Sequence, residues 1–275
     1  DMGLTALTKT FLSNRLVLTY IMGMQLGISK KDVLHTLRFK KFDHWLCPLP
    51  WLAEQVKNST NFPPERITVL PLGLDLSAFN TMPSKEEARS ILSLPQEMFL
   101  FGLIGRFHTK KGQHTLLEAY NLLDNKEKVG VVLLGENTRN ESSDYFDELN
   151  AFIEKHNLTD KVFIRPFRKE VVDFYAAIDT LVMASEAETF GMVTIESLAA
   201  GKPVIGTNTG GTPELLNNGD LGKLFTPYNS EELKDRMQAQ INESTSSESS
   251  LRAAAKKYDH QNFCANLEKI LGLGV

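Results

Sequence analysis

The 275-residue sequence predicts an α/β fold built on parallel sheets, and three observations carry that reading. From residue 99 onward, apolar runs of strand length alternate with stretches of helical periodicity. The glycine-rich and charged stretches fall where the strand runs end, which is where parallel α/β sheets bind ligands. A hydrophobic content of 42% suffices to bury a full core and more than one domain.

In order, residues 4–12 read as a helix, 16–20 as a short buried strand, 31–39 as a helix, 45–47 as a strand end, 51–56 as a helix and 67–70 as a strand. This alternation also implies a parallel sheet, but it is too short for a complete nucleotide-fold domain, and no strand precedes its first helix. Residues 71–79 follow, with Gly73 placed for a turn, and serve equally well as a plain loop or as a hinge. The regular repeat then begins with strand 99–104, helix 113–123, strand 129–134, helix 145–156 and strand 161–164. It continues with helix 170–178, strand 181–184, a helix opened by Gly191 and closed by Gly201, and strand 204–206. Five strands separated by helices predict a doubly wound, Rossmann-like domain. After Gly210 and Gly211 come a short strand at 223–225, a helix at 231–241, a flexible polar linker or long turn at 242–250, and helices at 251–257 and 261–271.

Composition narrows the function classes. No apolar stretch approaches a bilayer span, and the start at Asp1 shows no signal-peptide pattern. Cys47 and Cys264 fit no metal or redox spacing, and a reducing cytoplasm is the simplest compartment for them. The net charge of −4 is uneven: residues 1–75 hold nine Lys and Arg against six Asp and Glu, and the remainder holds 21 against 28. Lys30, Lys31, Arg38, Lys40 and Lys41 supply most of the basic excess. They read as a solvated helix face because they do not segregate to one side; peripheral membrane contact is the lesser alternative. Aromatic and basic residues do not interleave, so no nucleic-acid partner is expected. The six histidines show no nucleophile-base or metal pattern, and His108 reads as a solvated loop residue. No Asp-x-Asp sequence occurs, which removes the usual cue for a metal-bound diphosphate, and neither a metal nor a cofactor is expected.

The stretch 184–206 holds the most chemistry. At about 100° per residue, Met192, Val193, Ile195, Leu198, Ala199 and Ala200 form an apolar helix face, with Thr194 and Ser197 on the other side. Glu196 falls in the middle of the apolar face. An inward carboxylate is costly unless hydrogen-bonded, so Glu196 either meets a buried partner or faces a cleft where a ligand supplies donors. Glu188 sits just before the helix, and the amides of Phe190, Gly191, Met192 and Val193 lie between the two carboxylates. Such a helix start suits an anion. The arrangement implies an anionic group flanked by two hydroxyl-rich groups, as in a nucleotide-sugar; solvated carboxylates are the plain alternative.

The glutamate spacing, the intervening Phe190-Gly191, the Ala199-Ala200-Gly201-Lys202-Pro203-Val204 exit and the Gly210-Gly211-Thr212-Pro213-Glu214 turn together resemble the family 4 glycosyltransferases, which are retaining enzymes of the GT-B fold. The loop Gly105 to Gly112, with Arg106 and Lys111, resembles the same family's Gly-Arg-Leu and Lys-Gly pattern, and residues 71–79 resemble its interdomain connector, with Leu72 where the family has Asn. The resemblance implies a GT-B protein with three parts: residues 1–75 as the end of a truncated acceptor-side domain, 76–257 as the nucleotide-sugar donor domain, and 258–275 as a helix crossing back. It implies that Glu196 binds the ribose, Glu188 the donor sugar, and the amides of 190–193 the distal phosphate. Arg106 and Lys111 would stabilise the diphosphate leaving group, whose charge grows as the glycosidic bond breaks. The turn near Phe167 would hold the base through its backbone. Gly210 either brings an amide to the ligand or only turns the chain. The family usually has glycine where Arg165 and Asn137 stand, which leaves the base preference open; the histidine that members often carry just past the strand at 16–20 would match Ile21 or lie elsewhere, and none is assigned. The donor would be a nucleoside diphosphate sugar and the acceptor a glycan, lipid or small molecule. A nucleotide-sugar epimerase, and a binding module without transfer, are the rival readings.

Overall fold

A computed structural model describes residues 2–12, 16–137, 144–242 and 247–273. The chain divides into two compact units, Asp1–Gly73 with His260–Val275, and Leu74–Asp259. The divisions fall two residues from the positions read in the sequence. Leu74 donates its amide to the Tyr258 carbonyl (2.8 Å) and bridges Asp259, tying both segments into the second unit.

The first unit contains α1 (Met2–Leu12), β1 (Thr19–Ile21), α2 (Val33–Phe39), β2 (His44–Cys47), α3 (Pro50–Ser59) and β3 (Ile67–Val69). Its three strands are parallel in the order β1-β2-β3. Trp45 of β2 is wholly buried, with the rings of Tyr20, Phe39 and Phe62 edge-on at 5.1, 5.0 and 5.3 Å. The first strand starts later than its apolar run: Leu16 and Val17 are exposed, and pairing to β2 begins at Thr19 opposite His44. The basic face expected around residues 30–41 is not purely charged, because Val33, Leu34 and Leu37 are exposed on it too.

The second unit contains α4 (Lys85–Ile91), β4 (Phe99–Ile104), α5 (Gln113–Asn121), β5 (Val129–Leu134), α6 (Asp144–Lys155), β6 (Val162–Arg165), α7 (Val172–Ala177) and β7 (Thr180–Met183). It continues with α8 (Met192–Ala199), β8 (Val204–Thr207), α9 (Thr212–Leu215), β9 (Gly222–Phe225), α10 (Ser230–Asn242) and α11 (Glu248–Ala255); α12 (His260–Leu271) belongs to the first unit. The six strands are all parallel, in the order β6-β5-β4-β7-β8-β9. Every residue of β5 is buried, as in a sheet covered on both faces. The expected doubly wound sheet is present, and the short strand near 223 joins it as a sixth member. Helix α4 lies outside the alternation read from the sequence, and Ser84 and Glu87 form a capping box at its start. The expected polar linker is shorter than 242–250, since Ser247 caps α11 and accepts from the Ser250 amide; its residues 243–246 lie outside the described residues.

One buried charge cluster fixes the middle of this sheet. The Asp179 carboxylate, just before β7, accepts the Leu100 amide of β4 (2.7 Å) and the Arg89 guanidinium of α4 (2.8 Å), with Lys85 at 2.5 Å on its other oxygen. Arg89 is 1% exposed and also donates to the carbonyls of Ala177 and Gln96. Removing Arg89 would leave Asp179 without its buried partner and two carbonyls without their donor, so Arg89→Ala should destabilise the chain by about 3–5 kcal/mol. Urea unfolding checks this; a loss below about 1 kcal/mol would show that the cluster does not hold the strands.

Candidate functional site

The strand order reverses between β4 and β7. Strands β5 and β6 build outward from one side of this pair, β8 and β9 from the other, and a crevice opens beyond the carboxyl ends at such a point. A cavity of about 220 Å³ lies there, and its lining includes Gly105, Arg106, Lys111, Ser185, Glu188 and Val193.

The β4 end is a stiff loop. After Gly105 the chain makes a tight turn at Thr109–Lys111, in which His108 caps the Lys110 amide through Nδ1 (3.1 Å) and accepts the Lys111 amide at its carbonyl (2.8 Å). His108 is therefore part of the turn and not the solvated side chain expected. Gly112 closes the turn with φ 72°, and a Cβ there would lie 2.2 Å from the Ala184 carbonyl oxygen, so only glycine lets this loop close on the β7 end. The Glu186 amide donates to the Lys110 carbonyl (2.9 Å), which joins the two loops directly. Gln113, wholly buried, donates to the Arg106 carbonyl (2.8 Å) and accepts from the Tyr145 hydroxyl (3.3 Å).

The β7 end is tied to the segment after β8. Thr207 and Thr209 donate from their hydroxyls to the carbonyls of Ser185 and Glu186, and the Gly211 amide donates to Glu188 (2.8 Å). Gly210, at φ 61°, would place a Cβ 2.3 Å from the Glu188 carbonyl oxygen. In this structure Gly210 thus shapes the Glu188 loop, while the Gly211 amide is engaged by that loop.

Lys111 Nζ lies 2.5 Å from Glu188 Oε1, and the Ser185 hydroxyl donates to the same oxygen at 2.8 Å. The neighbouring Lys110 stays 72% exposed, 3.8 Å from the Glu186 carboxylate. Arg106 is exposed at the cavity rim.

Helix α8 differs from the wheel drawn above. Thr194 and Ser197 are wholly buried and Met192 is half exposed. The reason is tertiary: α11 covers the side expected to be solvated, where Arg252 donates to the carbonyls of Ala199 and Ala200 and Ser197 donates to that of Lys202. Phe190 is buried against Tyr258, so its backbone alone is available at the helix start. Among the described residues, no backbone carbonyl accepts a hydrogen bond from the amides of Phe190, Gly191, Met192 or Val193. Glu196 meets a buried partner: the hydroxyl of wholly buried Tyr175 donates to Oε2 at 2.7 Å. The same hydroxyl lies 3.2 Å from the Val193 carbonyl.

The cavity thus gathers Arg106, Lys111, Glu188 and Val193, whereas Glu196 lies deeper along α8 against Tyr175. Phe167 follows the edge strand β6 and is 60% exposed. Beside it, Arg165 turns away and donates to the carbonyls of Leu92 (2.6 Å) and Ser93 (2.7 Å) at the end of α4. Three residues of the site escaped the sequence reading. Ser185 stands at the end of an apolar run, Tyr175 within a helix reading as core, and Gln113 at a helix start; none carries a spacing signal.

Residues 84–258 match the sequence profile of the glycosyl transferases group 1. The chain belongs to this family. Among relatives, a D-inositol 3-phosphate glycosyltransferase of Paenarthrobacter aurescens is 29% identical over 179 residues, 63% of this chain and 43% of that protein. One of Corynebacterium jeikeium is 30% identical over 178 residues, 62% and 42% of the respective lengths. The chain thus spans less than half the length of these two relatives. A crystal structure of Anabaena HepE in complex with UDP and glucose is 25% identical, with a TM-score of 0.85, covering 98% of this chain and 75% of HepE. Sucrose-phosphate synthase of Thermosynechococcus elongatus shares the fold at 20% identity and a TM-score of 0.74, covering 86% of this chain and 60% of its own. The fold class is that of the GT-B glycosyltransferases. No helix among the described residues is long and apolar enough to cross a membrane.

Burial holds the Glu196 carboxyl above the ordinary carboxylate range, with the Tyr175 hydrogen bond opposing it. Burial, and then the Glu196 charge, push the Tyr175 hydroxyl well up, so it remains a donor. With the higher value in the folded state, the folded chain keeps this proton at pH values where the unfolded chain has lost it. Glu196 therefore costs stability as pH rises from the ordinary carboxylate range through its raised folded value, and the whole cost persists above that. Glu196→Gln keeps an acceptor for Tyr175 and removes the charge. Its Tm should exceed that of the wild type at about pH 8, with the gap narrowing as pH falls. A lower Tm across the range is the contrary result.

Proposed function

We propose that this chain carries the donor-binding part of an enzyme that transfers a sugar from a nucleoside diphosphate to an acceptor hydroxyl, with retention of configuration. The observation that supports this most is the meeting of Lys111 and Glu188 in the crevice between β4 and β7, beside Arg106 and the start of α8. In this reading Glu196 accepts from the ribose hydroxyls and Glu188 from the sugar, and the amides of Phe190, Gly191, Met192 and Val193 hold the distal phosphate. Arg106 and Lys111 neutralise the diphosphate, backbone groups near Phe167 receive the base, and Gly210 keeps the Glu188 loop in place. The bond from the sugar's anomeric carbon to the phosphate oxygen breaks, the acceptor oxygen bonds to the same face, and the leaving phosphate oxygen takes the acceptor's proton. Protein cations and amides compensate the developing charge without a metal. HepE, solved with UDP and glucose, makes UDP-glucose the first donor to try.

Thermal shift with UDP, GDP and ADP tests donor binding, since a ligand at 100 times its dissociation constant adds about 2.7 kcal/mol of apparent stability. Against the nucleotide that binds, Glu196→Gln should lose about 1.5–3 kcal/mol of affinity, the worth of a hydrogen bond to a charged group. Unchanged affinity removes Glu196 from the ribose.

Arg106→Ala should slow transfer by about 100- to 1,000-fold, comparable to losing one donor to a developing oxyanion. Arg106→Lys should rescue it only in part because the planar fork is lost. Excess chelator should leave turnover unaltered; inhibition reversed by magnesium or manganese would assign the leaving group to a metal.

A further inference from the structure

Lys111 and Glu188 receive opposite tasks in the reading above, one toward the diphosphate and the other toward the sugar. In this structure they hold each other, with Nζ 2.5 Å from Oε1 and the Ser185 hydroxyl on the same oxygen at 2.8 Å. Both side chains are largely shielded, at 32% and 20% exposure, where opposite charges attract more strongly than on open surface. Both backbones are fixed, Lys111 by the closed turn on His108 and Glu188 by the Gly211 amide, so a change of partner falls to the side chains.

A bare nucleoside diphosphate must draw Lys111 away from Glu188. That leaves a carboxylate without its cation beside newly arrived negative charge, and affinity falls accordingly. A diphosphate that carries a sugar brings hydroxyl donors to the carboxylate as the lysine is taken. Resting on the nucleotide-sugar reading, we infer that the Lys111–Glu188 pair is a selectivity device: Glu188 competes with bare nucleoside diphosphate for Lys111, and a hydroxyl-bearing donor satisfies both partners. Once the sugar has been transferred, the carboxylate loses its donors and the re-forming pair helps to expel the product diphosphate.

Calorimetric titration of UDP, GDP, ADP and their glucose conjugates into the full chain tests this. For the base that binds, Glu188→Gln should bind the diphosphate about tenfold more tightly than wild type and lose most of the preference for the glucose conjugate. In a Lys111→Ala background the same change should gain about twofold at most, because the pair is already broken. Glu186→Gln removes an equal charge two residues away, beside exposed Lys110, and should also gain about twofold at most. Equal or weaker diphosphate binding by Glu188→Gln overturns the inference, as does the same tenfold gain without Lys111 or at Glu186. If Glu196→Gln still weakens the nucleotide in that case, the nucleotide-sugar reading stands alone. If none of the six compounds binds wild type, that reading fails and the inference with it.

Discussion

The adjacency of β4 and β7 at the centre of the six-stranded sheet is the constraint on which the rest of this site depends. At the amino ends of the two strands, Asp179 bonds to the Leu100 amide and to the buried guanidinium of Arg89. At the carboxyl ends, the Glu186 amide reaches the Lys110 carbonyl, and Gly112 leaves room for the Ala184 backbone. The strands are thus clamped at both extremities, and the cavity lies beyond the second clamp. Register set by backbone pairing, more than any side-chain contact, brings a cation from one loop to a carboxylate from the other.

Two carboxylates of this unit, Glu188 and Glu196, are held where water is scarce, and each has a partner that defines its position. Glu196 bears the cost of burial and relies on Tyr175, whose hydroxyl is too deeply buried to ionise readily. Glu188 is less buried and is met by Lys111 and Ser185. Arg165 shows the opposite use of charge: it donates to carbonyls at the end of α4 and leaves Phe167 exposed beside it.

Much of the second unit was legible in the sequence because parallel strands buried on both faces write continuous apolar runs, as in β5, and because glycines mark the loops that follow them. Arg106, Lys111 and Glu188 could be singled out because they lie in the loops that follow two strands and because the motifs around them resemble those of a known family. Helix α4 does not show in the apolar periodicity, and only its capping box, Ser84 with Glu87, marks it in the residues. The wheel of α8 misplaced Thr194 and Ser197 because periodicity ranks the faces of a helix by polarity and carries no information on a second helix covering the polar side.

The sequence by itself determined the alternation of strands and helices, the turn positions at Gly112 and Gly191, and the inward phase of Glu196, all of which follow from local backbone preference and side-chain period. Tertiary structure alone decided that Tyr175 supplies the donor for Glu196 and that α11 seals the flank of α8. It alone decided that Lys111 and Glu188, 77 residues apart, share a hydrogen bond. The physical reason is one of range: dihedral preferences and hydrophobic periods act over a few residues, whereas the partner of a charge depends on which strands lie side by side, and that is settled by packing of the whole sheet.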